Sequence, residues 1–421
     1  MKQAICNLLG VTGLLLAIPV IADTSATNIS QQQIEECRAN RSVPNYAKIR
    51  TLIDDRQYAA ALAGMDVPNE STPDELRYLY GKTLYLQSMR KVEQRRTDKP
   101  DSALLASATK HIEAAAKAGY AEAIFAQAIW LTPPQDQNAR LALLRQAANK
   151  HYVPAMLTLA RELFITSQTF EQRVDAQSLV QKAAVLDTAA KIELARYYLH
   201  EDQQLNNTTG YDRDIDKAIS LLVEATRDCE ARAAYLLYEL AHHKHKPNSL
   251  DTESAISWLT VSSQLGYAKA QGELAEHYYK IEPNTDRALK WGKQAADAGD
   301  ITGLIVLGNI YYTGTGVGRD HGTALKFFEK ALQLDNDNRY VQDQLGMMYY
   351  KGEGVEANFR RAADLCKLAA NKGQPGCQYY LGLMYVNGEG VTQDIDRGID
   401  WMKKSAAQDF ITAKNWLREN W

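Results

Sequence analysis

The sequence predicts an all-α fold in which antiparallel helix pairs stack into a solenoid. Three observations predict it. The segment Leu307–Val317 recurs with few changes at 345–355 and 381–391, and an alanine-containing amphipathic segment follows each copy. The residues that end these second segments recur every 32 to 42 residues, at Gly119, His151, Asp187, Cys229, Gly266, Gly299, Asp335, Gly373 and Asp409. A helix pair of this length cannot bury its apolar face alone, so it must stack on its neighbours.

The residues of one unit predict how its two helices meet. Leu307 and Tyr311 lie four residues apart and share one helical face, while Gly308 lets the partner helix approach closely. Gly314 is expected to end the first helix in the left-handed conformation that glycine adopts most easily. Gly316 then permits a tight reversal that brings Val317 between the helices. The second helix presents four small or aromatic side chains to the first: Ala324, Phe327, Phe328 and Ala331.

Residues 1–22 are predicted to be a cleaved signal peptide. An apolar stretch from Ile5 to Ile21 follows a short basic start, and Val20-Ile21-Ala22 suits a signal peptidase that cuts after Ala22. The stretch is too short for a comfortable membrane span, and Cys6 lies before its apolar core rather than after it, so neither membrane insertion nor a lipid anchor is expected. We therefore expect a periplasmic or secreted chain.

The rest of the chain divides into four parts. Residues 23–45 are polar and expected to be loose, and residues 46–118 are expected to form atypical helical hairpins, with helices over Tyr46–Leu62 and Pro73–Met89. Repeats fill 119–410, and 411–421 is expected to be a capping helix whose Trp416 and Trp421 pack on the last hairpin.

The composition excludes some partners. The chain has 24% charged residues and a net charge of −3, with no block of like charge. It has no basic excess to neutralise phosphates, so nucleic acid is not expected as a partner. After signal removal four cysteines remain, which are too few for a disulfide-based scaffold.

At these repeated residues the chain resembles the Sel-one-like repeat (SLR) family, a subset of the tetratricopeptide-type α-solenoids. The family pattern has Ala, Leu-Gly and Tyr in the first helix (helix A), a Gly-x-Gly-Val loop, then Lys-Ala and an aromatic residue in the second (helix B). The match runs from Gly119 to the C-terminus and is strongest in the last three units; from Gly119 to Cys229 the glycine loop is missing. The resemblance implies a right-handed solenoid that binds a protein partner without a cofactor.

The resemblance also implies a binding surface. In tetratricopeptide-type repeats, helix A lines the concave face through positions two before, two after and five after its core leucine. Carried onto this chain, these positions hold Tyr379 (two before), Glu276, Asn309 and Met347 (two after), and Tyr279, Tyr312 and Tyr350 (five after). The three aligned tyrosines suit a strip that grips a peptide or polysaccharide. The alternative is that these rings pack between neighbouring helices as core.

For two of the cysteines the resemblance suggests a bond. In the cysteine-rich branch of the family a disulfide joins the end of one unit to the start of the next, where this chain has Cys366 and Cys377. Cys366 lies one turn earlier than in that branch, so a disulfide and two buried free thiols both remain open. Cys37 and Cys229 cannot be paired from the sequence.

No motif predicts catalysis. The Gly-x-Gly loops follow a helix rather than a strand, which favours turns over nucleotide sites. The tract His242–His245 contains three histidines and Lys244, and is more typical of a solvated helix end than of a metal site. Ser88 and Ser107 each begin a Ser-x-x-Lys match, but the companion Ser-Asp-Asn and Lys-Thr-Gly elements of β-lactam enzymes are absent.

The sequence therefore predicts a non-catalytic exported scaffold that holds a protein or peptide on its concave face, without metal or cofactor. Partner identity and oligomeric state stay open. The alternatives are a periplasmic scaffold for polysaccharide export or envelope assembly, a secreted host-interaction protein, and a β-lactam-binding or β-lactam-hydrolysing enzyme.

Overall fold

The computed structural model describes residues 34, 47–54, 56, 58–69, 71–93, 100–131, 136–166, 169–200, 209–242 and 252–420. The predicted signal peptide, the loose segment at 23–45 apart from Ile34, Cys37, the tract His243–His245 and Trp421 lie outside these residues.

The described chain consists of helices arranged in pairs, with odd-numbered A helices and even-numbered B helices. The first half contains α1 (Ala47–Asp54), α2 (Tyr58–Ala63), α3 (Asp74–Glu93), α4 (Ser102–Lys117), α5 (Ala121–Ala126, continued by a π-helical turn, Gln127–Leu131), α6 (Gln137–Ala148), α7 (Val153–Thr166), α8 (Phe170–Leu186), α9 (Thr188–Leu199) and α10 (Ile215–Arg227). The second half contains α11 (Ala231–His242), α12 (Thr252–Gln264), α13 (Ala268–Lys280), α14 (Thr285–Asp297), α15 (Ile301–Thr313), α16 (His321–Leu334), α17 (Arg339–Lys351), α18 (Phe359–Asn371), α19 (Pro375–Asn387), α20 (Ile395–Ala406) and α21 (Ile411–Asn420).

Each helix packs against the next one in the chain, and the described residues contain no strand. The A helices α13 and α15 also contact each other directly, as do α17 and α19. Buried leucine and alanine side chains fill the space between the pairs along the array. The predicted all-α stack of helix pairs is confirmed.

One hydrogen-bond pattern closes the repeated helix pairs. The residue before helix B is Asp or Asn, and its backbone N–H donates to the carbonyl oxygen of a tyrosine in the preceding A helix. The pairs are Asp214 with Tyr198, Asn284 with Tyr278, Asp320 with Tyr311, Asn358 with Tyr349, and Asp394 with Tyr385, at 2.8–3.0 Å. The side-chain oxygen of each Asp or Asn accepts the N–H three residues on, as an N-cap. The pattern thus satisfies unpaired groups at the end of one helix and the start of the next.

The glycine after each core leucine sits against helix B. A Cβ added to Gly308 would lie 2.7 Å from the ring of Phe328, and one added to Gly382 would lie 3.0 Å from the side chain of Met402. Gly314, at the end of α15, has the predicted left-handed conformation, with φ of 74°. The close approach and the helix ending predicted for the glycines are both confirmed.

The second glycine of each Gly-x-Gly loop connects neighbouring units. A Cβ on Gly354 would clash with the backbone at His321, the first residue of helix B in the preceding unit. A Cβ on Gly390 would clash in the same way at Phe359. These glycines therefore allow each loop to lie on the start of the previous B helix, which the sequence alone did not reveal.

The residues that end the B segments are mostly left-handed. Positive φ angles occur at Gly119, His151, Cys229, Gly266, Gly299, Gly373 and Asp409. The two exceptions, Asp187 and Asp335, have extended backbones with φ of −145° and −136°. Asp187 also caps α9 through the N–H of Ala190. A left-handed residue is thus the usual link between one pair and the next.

The N-terminal helices differ from the prediction. The single helix expected over Tyr46–Leu62 is two helices, α1 and α2, with Arg56 between them in a left-handed conformation (φ 58°). Its backbone N–H donates to the carbonyl oxygen of Ile53, which makes a local turn there. At the other end, α21 buries Ala413 and leaves Trp416 half-buried.

Gly266→Ala is expected to destabilise the chain through the backbone alone. Gly266 has φ of +93° and no atom within 4 Å of an added Cβ, so the penalty is conformational, about 1–2 kcal/mol. Gly318→Ala is the matched control, because that position is equally open but has no positive φ. Urea unfolding should show a lower midpoint for Gly266→Ala and an unchanged or higher one for Gly318→Ala. Equal urea midpoints for the two variants would contradict a conformational requirement for glycine at position 266.

Candidate functional site

The predicted binding residues lie on four consecutive A helices. Tyr279 lies on α13, Tyr312 on α15, Tyr350 on α17 and Tyr379 on α19, and all four side chains are half-buried. The structure thus places them between the two alternatives that the sequence left open, since each ring is neither fully exposed nor fully in the core.

Two of the tyrosines are hydrogen-bonded to the next unit. The Tyr312 hydroxyl donates to Glu353 at 2.8 Å, and the Tyr350 hydroxyl donates to Glu389 at 3.0 Å. Both glutamates are the middle residue of the following Gly-x-Gly loop, where the unit after Tyr279 has Thr315 instead. Burial, followed by these bonds to carboxylates, raises the pKa of both tyrosines. The hydroxyls therefore stay neutral donors at physiological pH.

The same rings contact other aromatic side chains. Tyr312 stacks on His321 with ring centroids 5.0 Å apart, and Tyr350 meets Tyr380 at 5.1 Å. Tyr379 contacts both Tyr380 and Phe410, at 5.1 and 5.7 Å. These contacts fix the orientation of the rings while leaving part of each surface open.

The positions two after the core leucine differ from one another. Glu276 is accessible and forms an ion pair with Lys280 at 2.6 Å, and Met347 is half-buried. Asn309 is only 8% exposed, and its side-chain oxygen accepts a hydrogen bond from the Tyr340 hydroxyl at 2.7 Å. Tyr340 thus covers Asn309 and takes its place at the surface, which sequence spacing could not predict.

Tyr235 and Tyr238 lie on α11, the next A helix towards the N-terminus, where Tyr238 is half-buried and Tyr235 is buried. Their rings lie 5.6 Å apart, and the Tyr235 hydroxyl donates to Glu273 on α13. Tyr235 lies two residues before Leu237, just as Tyr379 lies two before Leu381. The spacing that selected Tyr379 would therefore also have selected Tyr235 from the sequence.

Asp343 caps a helix of the next unit. Helix α19 begins at Pro375, and Gln374 before it makes no side-chain cap. The buried carboxylate of Asp343, on α17, accepts the backbone N–H of Cys377 at 2.6 Å instead. Burial raises the pKa of Asp343 to about 6, against the lowering effect of the Cys377 hydrogen bond.

The structure joins Cys366 and Cys377 in a disulfide, with Cα atoms 4.7 Å apart. Both side chains are fully buried. The bond ties α18 of one unit to α19 of the next, and the sulfurs lie against Gly346. Cys229 is disulfide-bonded as well.

Three other candidate side chains lie on described helices. The Ser88 hydroxyl is buried and donates to the carbonyl oxygen of Tyr85 at 2.6 Å, and Ser107 is half-buried on α4. His242 is exposed at the end of α11, and the rest of its tract lies outside the described residues. Within the described ranges, no three His, Cys, Asp or Glu side chains come together as a metal site. No helix in those ranges is both long enough and apolar enough to span a membrane.

Asp343→Asn is expected to stabilise the chain at neutral pH. The folded-state pKa lies above the ordinary carboxyl value, so this group's contribution to stability is lost as pH rises through about 6. Asparagine is uncharged and still accepts the Cys377 N–H. The gain at pH 7.5 is at most about 3 kcal/mol, at about 1.4 kcal/mol per pKa unit, and should shrink at pH 5.

Thermal melts of the wild type, Asp343→Asn and Asp343→Ala at both pH values measure this effect. The alanine variant removes the acceptor and should melt lower at pH 7.5. An Asp343→Asn melt as low as that of Asp343→Ala at pH 7.5 would show that the charge itself is needed.

Comparison with known proteins identifies the repeat. The sequence profile of the Sel1 repeat matches residues 188–227, 262–300, 303–336, 340–374 and 375–410. No match falls on 119–187, where the glycine loops are missing although the helix pairs continue. No curated protein matches the sequence.

Two solved bacterial structures are similar to this chain. A Sel1 repeat protein from Oxalobacter formigenes is 22% identical, with a TM-score of 0.49, and the match covers 86% of this chain and 99% of the other. A protective antigen of uropathogenic Escherichia coli with an SLR fold is 19% identical, with a TM-score of 0.47, and the match covers 93% and 90%. With five Sel1 repeats in its sequence and closed helix pairs at each of them, the chain belongs to the Sel1-repeat family.

Proposed function

We propose that this protein is a non-catalytic, exported scaffold that holds a protein or peptide partner along the concave face of its helix stack. Recognition rests on shape and on many weak contacts, and needs no cofactor. The strip of half-buried tyrosines on consecutive A helices is the observation that carries the proposal.

The contacts between like helices support the position of this face. The direct contacts of α13 with α15 and of α17 with α19 bring neighbouring A helices close together. A stack curves towards the side on which its elements lie closer. These contacts support placing the A helices, with Tyr279, Tyr312 and Tyr350, on the inner side of the curve.

The tyrosines have the physical character of binding residues. Tyrosine provides a large amphipathic contact area at a low cost in conformational entropy. The bonds to Glu353 and Glu389 hold two of these rings in place before any partner arrives. A preorganised surface loses less entropy on binding.

The disulfides support the exported location. The bonds at Cys366–Cys377 and at Cys229 are stable in oxidising compartments and uncommon in the bacterial cytosol. Together with the predicted signal peptide at 1–22, they favour the periplasm or the extracellular space.

Paired variants at Tyr312 and Tyr350 test the proposal. Replacing both with alanine removes the rings, whereas replacing both with phenylalanine removes only the hydroxyl bonds to the two glutamates, each worth about 1.5–3 kcal/mol. The mature chain, residues 23–421, and both variants would be used to capture partners from an envelope extract and identify them by mass spectrometry.

The alanine pair should lose a partner that the wild type and the phenylalanine pair retain. Circular dichroism should show folded protein in all three, with the alanine pair melting lowest. A partner retained equally by all three folded proteins would contradict binding at this strip.

A further inference from the structure

Ile34 is buried among helices that lie far from it in the sequence. It is helical and only 1% exposed. The buried side chains that form one cluster with it come from α9 to α12 and include Ile192, Leu222, Leu237 and Trp258. An isoleucine from a polar N-terminal segment is thus part of the core between units in the middle of the stack.

This cluster includes two positions of α9 that belong to the predicted concave face. Counted from the core leucine of α9, Leu194, the positions two before and five after hold Ile192 and Leu199. Both are buried, at 2% and 8% exposure, and both belong to the cluster of Ile34. The five-after tyrosines of the later A helices are half-buried instead. The difference supports placing the chain around Ile34 on the concave side of α9.

The disulfide partner of Cys229 can be found by elimination. The sequence has five cysteines: Cys6, Cys37, Cys229, Cys366 and Cys377. Cys366 is bonded to Cys377, and Cys229 is disulfide-bonded as well. The partner of Cys229 within the chain is therefore Cys6 or Cys37. Cys6 lies in the predicted signal peptide, which the mature chain lacks, so Cys37 is the remaining candidate.

Cys229 lies beside the helices that surround Ile34. It follows α10 and precedes α11, and its backbone N–H donates to the carbonyl oxygen of Thr226 at 3.0 Å. Both helices contribute buried side chains to the cluster of Ile34. Cys37 is three residues from Ile34, so their Cα atoms lie within about 11 Å of each other in any conformation. The burial of Ile34 therefore brings Cys37 into the neighbourhood of this turn.

We infer that Cys229 is bonded to Cys37, and that this bond and Ile34 together hold the N-terminal segment on the concave side of α9–α11. Forming the bond joins the two sulfurs and removes two protons and two electrons from the two thiols. A disulfide-carrying oxidase of the exporting compartment takes them up and is itself reduced to a dithiol.

The bond gives the stack an occupant of its own. The concave side of α9 is covered before any partner arrives, because the N-terminal segment is tied to it covalently. A partner is left with the A helices from α13 onwards, which carry Tyr279, Tyr312 and Tyr350.

Peptide mapping tests the bond. The full chain, purified from an oxidising compartment, would be denatured, alkylated without reduction, digested with trypsin and analysed by mass spectrometry. The peptide that ends at Arg38 should be joined to Asp228–Arg232. Ala362–Lys367 joined to Gly373–Arg397 serves as the internal reference for the second disulfide. Alkylated Cys37 or Cys229, or a bond from Cys229 to Cys6 or to a second copy of the chain, would overturn the inference.

Ile34→Asp tests the docking of the segment separately. Burying an isoleucine favours the docked state by roughly 10-fold or more. Native trypsin cleavage follows the population of the open state, so cutting after Arg38 should be about 10-fold faster in Ile34→Asp than in the wild type. Ile34→Ala, a milder change, should give an intermediate rate.

Ile411→Asp is the matched control, because that isoleucine is 65% exposed, and it should be cut after Arg38 at the wild-type rate. Circular dichroism checks that each variant is folded. Equal cleavage rates in the wild type and Ile34→Asp would contradict docking through Ile34. Neither measurement involves a partner, so both outcomes are independent of the proposed function.

Discussion

The hydrogen bond that closes five of the helix pairs, one in each matched repeat, is the interaction on which the repeated part of the structure depends. A tyrosine carbonyl near the end of helix A accepts the N–H of the Asp or Asn that caps helix B, as at Tyr311–Asp320 and Tyr349–Asn358. The bond fixes where the chain reverses, and so fixes the register in which Gly308 meets Phe328. With the register set, the loop glycines can lie on the preceding B helix, and identical pairs can stack.

Several ties between units lie in the C-terminal half of the described array. They include the bonds from Tyr312 and Tyr350 to the next loop, the cap that Asp343 provides for α19, and the disulfide between α18 and α19. In a solenoid, stability is a sum over units and their interfaces. These ties should therefore stiffen the units that hold Tyr312 and Tyr350.

The sequence was sufficient for the features that repeat. The glycine after each core leucine and the glycine that ends helix A recur in the well-matched units, and each has a single physical reason, so their roles could be predicted. Features that occur once could not be predicted in this way. Tyr340 buries Asn309, Arg56 divides a predicted helix, and Asp343 caps a helix 34 residues away. Each depends on a contact between particular neighbours in space, which a family pattern does not contain.

The most direct test of the central claim is site-specific photo-crosslinking in the native host. Benzoylphenylalanine would replace Glu276, Met347 or Leu383 on the A helices, and Lys293, Lys326 or Asp364 on the exposed side of the B helices. Binding along the concave face predicts crosslinks to one partner from the first set and none from the second. Crosslinks from the B-helix positions alone would contradict it.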